Sequence, residues 1–322
     1  MQENTTDSSV TGTYCERLWT ECFIHQDGSV YACCHRQPAI LGNVLSDRLD
    51  KIFSGVTLRR LRMESLEGRL ACYRDCTLAR PEKREAAAEF TSLTVPYATL
   101  RRLKVLFGEA CNLSCIMCHQ QHRQRAVLAC DSLIANVDLS PFETVEIQGG
   151  EPLFIPEAAK YLDYVIALQK RVVILTNGTL IDEAWAEKLA RQATVVRISL
   201  NAATKHTHEL INRGSRWERV MRGIELLRIE RDRQQTSLRI RGHMTVVREN
   251  LDEIPLFIRQ FPAFGFDGIN FGFDRSVPLF LRDNPSQKLR LASEIEEALG
   301  TCGSHRVSTD RLKLLALVAP SI

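Results

Sequence analysis

The chain has 322 residues, of which 44% are hydrophobic, and its 42 basic and 39 acidic side chains leave a formal net charge of +3. A chain of this length can bury a substantial core and form two domains. The small net charge argues against nucleic acid or an anionic membrane as a partner. No apolar run approaches the roughly 20 residues of a membrane span. The polar residues 1–13 lack the apolar segment of a signal peptide and predict a disordered tail.

Residues 14–80 predict a small, cysteine-rich α+β module. Asp27-Gly28 lies between two alternating apolar segments, which is typical of a β-hairpin. Two short helices are predicted to follow over 47–53 and 56–64, with a break at Gly55. Residues 81–100 contain two prolines and a run of charged side chains, which indicates a linker with one exposed helix.

From residue 101 onward, strand-like runs alternate with helical patterns. One predicted helix begins at Pro156, and another carries apolar residues at helical spacing from Trp217 to Leu227. Such alternation predicts parallel strands with right-handed crossovers, and six units leave an open, partial (β/α)6 barrel over residues 101–275. Residues 276–322 are predicted to form capping helices. The predicted strands are 103–107, 144–148, 172–176, 195–200, 238–247 and 268–273.

Three cysteines, Cys111, Cys115 and Cys118, follow the first of these strands in a C-x3-C-x2-C array. Three thiolates on one loop can hold three corners of a [4Fe-4S] cluster and leave the fourth iron without a protein ligand. The alternative is a closed zinc site that recruits His119 or His122. Zinc sites usually show paired C-x2-C units, which this loop lacks.

A second motif, Gly149-Gly150-Glu151-Pro152, follows the second strand. Glycines let the backbone approach a ligand closely, and the carboxylate of Glu151 complements a cation. The cysteine array and this turn, in this order on successive strand ends, resemble the radical S-adenosylmethionine (SAM) superfamily. In that family the open iron chelates SAM, and the turn binds its ammonium group.

The resemblance implies further SAM contacts at the carboxyl ends of the strands, where barrel enzymes place their active sites. Met117 corresponds to a position near the adenine, and Ser199 and Asn201 suit the ribose or the methionyl part. Two assignments stay open. Asn177 either binds the cofactor or serves the turn before Gly178. Arg213 either binds the SAM carboxylate or is only solvated.

The N-terminal cysteines resemble a SPASM or shorter "twitch" module, although such modules usually follow the barrel. The resemblance implies one auxiliary [4Fe-4S] cluster. Cys34 could replace Cys33 as a ligand, and Cys22 is either a ligand or a small buried residue. A zinc site made of the same cysteines is the alternative. The implied ligands are Cys15, Cys33, Cys72 and Cys76.

Labile iron-sulfur chemistry requires a reducing compartment, so a cytoplasmic location is expected and disulfides are not. Two cysteines lie outside both ligand sets. Cys130 belongs to a predicted helix, where it is either a small buried residue or a catalytic thiol that returns a hydrogen atom to a substrate radical. Cys302 is predicted to lie on a loop and could be exposed.

The expected function is that of a radical SAM enzyme. It would cleave SAM reductively to a 5'-deoxyadenosyl radical and oxidise or crosslink a peptide with the help of the auxiliary cluster. The alternatives are an epimerase or dehydrogenase of a sugar or another small metabolite, and a non-catalytic, zinc-stapled adaptor. A flavodoxin- or ferredoxin-type electron donor is expected. An additional leader-binding domain is not expected within these 322 residues.

Overall fold

The computed structural model describes residues 14–33, 39–70, 90–118, 120, 126–302, 314–315 and 317–318. The chain divides into two compact units. Unit 1 comprises residues 1–108, 126–147 and 160–170, and unit 2 comprises residues 109–125, 148–159 and 171–322. The predicted tail over 1–13 and residues 81–89 of the predicted linker lie outside the described residues.

Unit 1 contains the predicted hairpin. Strand β1 (Glu21–Ile24) pairs antiparallel with β2 (Ser29–Tyr31), and β2 pairs antiparallel with β3 (Gly42–Asn43). Gly28 makes the turn with φ at +81°, a conformation that glycine adopts at little cost. On its other side β1 pairs in parallel with β4 (Arg102–Leu106). The hairpin therefore extends the sheet to which the first barrel strand belongs.

The helices of unit 1 confirm the predicted break at Gly55. Helix α1 (Arg17–Thr20) precedes β1, and the two predicted helices appear as α2 (Leu49–Phe53) and α3 (Val56–Leu66). Gly55 lies at the N-cap of α3 in an extended conformation, which stops α2 from continuing into α3.

A buried arginine connects several segments in the core of unit 1. Arg62, on α3, and Trp19, on α1, are both 0% exposed. The Arg62 guanidinium donates from Nε to the Leu18 carbonyl and from Nη1 to the Leu93 carbonyl, both at 3.0 Å. Its Cζ atom also lies 4.5 Å from the centre of the Phe53 ring, a cation–π distance. One side chain thus ties three separate segments of the module together.

The barrel elements follow in the predicted order. Strands β5 and β9 have the predicted bounds, and the ends of the other barrel strands differ from prediction by one or two residues. After β4 come α4 (Cys130–Asn136), β5 (Thr144–Gln148), α5 (Pro156–Ala167), β6 (Arg171–Thr176), α6 (Glu183–Gln192), β7 (Ala193–Ser199), α7 (Lys205–Ile211), α8 (Trp217–Gln234), β8 (Arg239–Val246), α9 (Ile254–Gln260) and β9 (Gly268–Phe273).

In unit 2, strands β6, β7, β8 and β9 run parallel, each paired with the next one in the chain. On β8 the residues alternate: Ile240 and Met244 are fully buried, whereas Arg241 and His243 are partly exposed. This alternation is that of a sheet with one face packed on helices and the other lining an open concave surface. Helices α10 (Ser276–Asp283) and α11 (Pro285–Thr301) follow β9.

The predicted fold class, a partial (β/α)6 barrel with an N-terminal α+β module, is confirmed. Because parallel strands end at the same edge of a sheet, the residues that follow β6, β7 and β8 are brought to one side of unit 2. Among the helices in the described part of the chain, none combines the length and apolar character that a bilayer crossing needs.

Candidate iron-sulfur and S-adenosylmethionine site

Cys111, Cys115 and Cys118 lie on an irregular loop of unit 2, and each is partly exposed. The loop is held by backbone hydrogen bonds to the last residue of α7 and to the segment that follows it. Ser114 N–H donates to the Arg213 carbonyl at 2.9 Å, and Ile116 N–H donates to the Ile211 carbonyl at 3.0 Å. The shape of the loop is therefore imposed by the protein backbone on both sides of Cys115.

The three thiols suit a multi-iron cluster. Burial, followed by the neighbouring Cys111 and Cys118 groups, raises the pKa of Cys115 to about 12. A metal with Lewis acidity ionises such thiols outright, and soft thiolates favour iron in sulfur clusters. Among the described residues no three His, Cys, Asp or Glu side chains converge on a single metal ion. In a cubane cluster each of the three thiolates would bind a different iron.

The Gly-Gly-Glu-Pro turn packs directly against the residues that lead into Cys111. Glu151 N–H donates to the Ala110 carbonyl at 2.9 Å. A Cβ atom at Gly150 would overlap with the carbonyl oxygens of Glu109 and Ala110. Glycine at position 150 is thus required for the turn and the cluster loop to approach each other.

The Glu151 carboxylate is 0% exposed and accepts three hydrogen bonds. Leu153 N–H and the Thr176 hydroxyl donate to Oε1 at 3.1 and 2.7 Å, and Asn177 N–H donates to Oε2 at 2.6 Å. Burial nevertheless raises the pKa of Glu151 to about 7, and these three donors only partly offset the loss of solvent. A cationic ligand beside such a carboxylate would favour its ionised form, which suits an ammonium group.

Asn177 connects this carboxylate with the cluster loop. Its side-chain Nδ2 lies 2.9 Å from Asn112 Oδ1 and 3.8 Å from Cys111 Sγ, and its Oδ1 accepts from Thr179 N–H and from the Thr179 hydroxyl. The turn at Gly178 has φ at +76°. Both chemical roles considered for Asn177, a turn and a polar contact in the site, are therefore compatible with its position.

The two residues predicted after β7 differ in surroundings. Ser199 is partly exposed, whereas Asn201 is 2% exposed. Asn201 Oδ1 accepts from Thr245 N–H at 2.8 Å, and its Nδ2 donates to Asn212 Oδ1 at 2.9 Å. The Asn201 side chain thus joins the ends of β7 and β8 to the segment that holds the cluster loop.

The remaining predicted residues differ in exposure. Arg213 is exposed and contacts the loop through its backbone carbonyl. Met117 and Gly149 are partly exposed, and Pro152 is buried. His119 and His122, the alternative zinc ligands, lie outside the described residues.

One supporting residue was not predicted from the sequence. His208, on α7, is 0% exposed, and its Nε2 lies 2.9 Å from Ser215 Oγ. Burial lowers its pKa to about 4, so the imidazole is neutral. This pair closes the turn after α7, whose carbonyls hold the cluster loop. Its significance depends on tertiary packing, and a histidine on a short helix gives no sequence signal of it.

Family models match the chain at both regions. Residues 105–260 match the radical SAM superfamily, and residues 15–77 match SPASM, an iron-sulfur cluster-binding domain. The chain contains a radical SAM domain. The predicted family and the predicted order of module and barrel are both confirmed. The radical SAM match implies SAM and a [4Fe-4S] cluster as cofactors, as predicted. The SPASM match implies auxiliary iron-sulfur binding, which was also predicted.

The radical SAM protein is similar to several curated proteins over part of its length. It is 30% identical to the antilisterial bacteriocin subtilosin biosynthesis protein AlbA of Bacillus subtilis over 45% of this chain and 33% of the relative. It is 31% identical to the serine-type anaerobic sulfatase-maturating enzyme of Klebsiella aerogenes over 37% of this chain and 35% of the relative. The similarity therefore spans about a third of each of these relatives.

Among solved structures, Streptococcus suis SuiB bound to its precursor peptide SuiA aligns with 87% of this chain and 68% of its own. The identity is 15% and the TM-score is 0.48.

The SPASM match, 15–77, includes all four predicted auxiliary ligands. Cys15 is buried, and its backbone N–H donates to Ser65 Oγ at 2.9 Å. Cys33 is partly exposed and lies two residues beyond β2. Cys34, Cys72 and Cys76 lie outside the described residues.

Three other cysteines of this radical SAM protein have different surroundings. Cys22 is 2% exposed, and burial raises its pKa to about 12. Cys130, at the start of α4, is 0% exposed. Cys302 follows the last residue of α11 and is partly exposed. A thiol that returns hydrogen to a substrate needs access to it, and the two candidates for that role differ in exposure.

Proposed function

We propose that this protein is a SAM-cleaving enzyme that oxidises or crosslinks a peptide. The observation that carries the proposal is the junction at Glu151. This one carboxylate lies on the Gly-Gly-Glu-Pro turn, is bonded to the end of β6, and reaches the cluster loop through Asn177. The family's two cofactor motifs are thus joined in a single hydrogen-bonded site.

In this proposal Cys111, Cys115 and Cys118 hold the cluster that leaves one iron for SAM. Glu151 and the turn bind the SAM ammonium group, and Met117, Ser199, Asn201 and Arg213 lie in the same unit on segments that border the site. The cofactors supply one-electron cleavage of a sulfonium bond, which no side chain can perform. The protein binds and orients SAM, and the site at the strand ends limits the access of water to the reaction.

The peptide substrate is supported by the names of the relatives. One relative is named for the biosynthesis of a bacteriocin, and the other is named for the maturation of a sulfatase. The auxiliary cluster at Cys15, Cys33, Cys72 and Cys76 would accept the second electron, so that the peptide loses two hydrogens. A flavodoxin- or ferredoxin-type protein would supply the first electron.

The proposal is tested with protein purified and reconstituted without oxygen. We expect reductant-dependent release of 5'-deoxyadenosine and about eight bound irons, as two cubane clusters require. Bound zinc with no release of 5'-deoxyadenosine would contradict the proposal and favour a metal-stapled adaptor. For the substrate, we expect peptides encoded beside the gene to lose the mass of two hydrogens. Unchanged peptide mass alongside a modified sugar would favour the small-metabolite alternative.

A further inference from the structure

The Asn177 carboxamide has a fixed orientation beside Cys111. Asn177 is 9% exposed, and its Oδ1 accepts from Thr179 N–H at 2.9 Å. A backbone N–H can only donate, so the atom that faces it must be the oxygen. The amide nitrogen is therefore directed to the other side, where it lies 3.8 Å from Cys111 Sγ and 2.9 Å from Asn112 Oδ1.

Two other residues direct N–H groups at the sulfur of Cys111. Leu113 N–H donates to Cys111 Sγ at 3.4 Å, and Asn177 supplies the second donor from a different element. An N–H group that points at a ligand sulfur stabilises negative charge on that sulfur.

We propose that Asn177 is a positioning residue that sets the reduction potential of the cluster held by Cys111, Cys115 and Cys118. The inference rests on the proposed function, because it requires the cluster at these cysteines. Hydrogen bonds to ligand sulfurs stabilise the reduced, more negative form of a cluster and raise its potential. The Leu113 donor belongs to the loop itself, whereas the Asn177 donor arrives from the end of β6.

The same residue also contacts the proposed SAM site. Asn177 N–H donates to Glu151 Oε2 at 2.6 Å, so its backbone holds the carboxylate while its side chain faces Cys111. A displacement of the turn on cofactor binding would therefore be transmitted to the sulfur through one residue. Glu151 and the cluster are coupled by a single fixed element, the turn at 176–178.

The test compares Asn177→Ala and Asn177→Asp with the wild-type holoenzyme at alkaline pH. The Ala variant removes the donor, and the Asp variant also adds negative charge in nearly the same shape. Each protein is titrated electrochemically while the electron paramagnetic resonance signal that changes on addition of SAM is followed. That signal belongs to the cluster with the open iron, which separates it from the auxiliary cluster.

At a fixed applied potential, we expect the ratio of reduced to oxidised cluster to fall about tenfold in Asn177→Ala, which corresponds to about 59 mV for one electron. We expect a larger fall in Asn177→Asp. Thr179→Val is the matched control. It removes the hydroxyl that donates to Asn177 Oδ1 but keeps the backbone N–H that orients the amide, so the ratio should stay close to wild type.

Two outcomes would overturn the inference. Unchanged potentials in both Asn177 variants would show that the amide does not act on the sulfur. Loss of the SAM-responsive cluster from both variants would show that Asn177 serves only the structure of the turn. A wild-type protein without a SAM-responsive signal would instead contradict the proposed function, so the two failures are distinguishable.

Discussion

The cysteines of the two iron-sulfur regions have contrasting surroundings. In unit 1, Cys15 and Cys22 are buried in a core organised by Trp19 and Arg62. In unit 2 the three cysteines of the radical SAM loop are partly exposed, and backbone hydrogen bonds hold their loop. A site that must admit SAM has to leave metal accessible. Cys33, another predicted auxiliary ligand, is partly exposed, so the described cysteines of unit 1 include both buried and accessible thiols. Exposure thus separates Cys15 and Cys22 from the three cysteines of the radical SAM loop.

The largest expected effect separates a cluster ligand from a buried thiol. Cys115→Ala should lower 5'-deoxyadenosine release to background and remove about four irons, the content of one cubane cluster. Cys22→Ala is the control, and it should keep the wild-type iron content. Iron analysis and product chromatography measure both. Loss of iron from the Cys22 variant would show that Cys22 is an auxiliary ligand. Burial would then not distinguish a structural thiol from a cluster ligand.

The second prediction concerns the core of unit 1. Arg62→Met removes two hydrogen bonds from a buried guanidinium to backbone carbonyls and a cation–π contact, so the free energy of unfolding should fall by about 3 kcal/mol. Arg60 lies on the exposed side of the same helix and pairs with Glu64. Arg60→Met should change the free energy of unfolding by less than about 0.5 kcal/mol. Denaturant unfolding followed by tryptophan fluorescence measures both. Equal effects of the two variants would contradict the anchoring role of Arg62.

The third prediction tests the contact between the turn and the cluster loop. Gly150→Ala places a methyl group against the Glu109 and Ala110 carbonyls and should displace the chain that leads into Cys111. Cluster occupancy in the SAM site should fall more than about tenfold. A tenfold fall corresponds to a loss of about 1.4 kcal/mol in the free energy of cluster binding. In Gly300→Ala the added methyl group meets no atom within 4 Å, so occupancy should not change. Normal cluster occupancy in Gly150→Ala would show that the cluster loop can move enough to accommodate the methyl group.

The smallest predicted effect is a pH dependence. Since the pKa of Glu151 is raised to about 7, the carboxylate is mostly neutral at lower pH and mostly ionised at higher pH. Affinity for SAM should therefore rise about tenfold between pH 6 and 8, as the ionised fraction of a group with this pKa does. Calorimetric titration of the anaerobic protein measures it. Glu151→Gln should bind weakly with no such dependence, and a persisting dependence would exclude Glu151 as its source.

The same shift has a consequence for stability. The unfolded value is near 4.5, so between about pH 4.5 and 7 the folded protein retains a proton that the unfolded chain has lost. The contribution of Glu151 to the free energy of unfolding therefore decreases as the pH rises through this window. A bound cation offsets this decrease because it favours the carboxylate.

The sequence predicted the elements well where the signal was local. Asp27-Gly28 specifies its hairpin, and the alternation of apolar runs locates β5 and β9 at their observed bounds. The environment of single polar residues was not predictable. Arg62 is fully buried on a helix that reads as a surface helix, and Asn201 is bonded to Asn212 and Thr245. These partners are distant in the chain, and only the folded arrangement brings them together.

The candidate site follows the same division. Cys111, Cys115 and Cys118 and the turn at Glu151 were found because their spacing carries the chemistry. The links among Glu151, Asn177 and Cys111 were not found, because hydrogen bonds between strand ends leave no pattern in a single sequence. Their functional roles remain the subject of the experiments above.

The backbone bonds from Ser114 and Ile116 to the end of α7 and the segment after it bear on the sensitivity of such proteins to air. Because these bonds depend on peptide groups alone, the loop should retain its conformation after oxygen has destroyed the inorganic core. Reassembly of the cluster would then require iron and sulfide to bind to thiols that are already in position. Repair would not have to begin from an unstructured polypeptide.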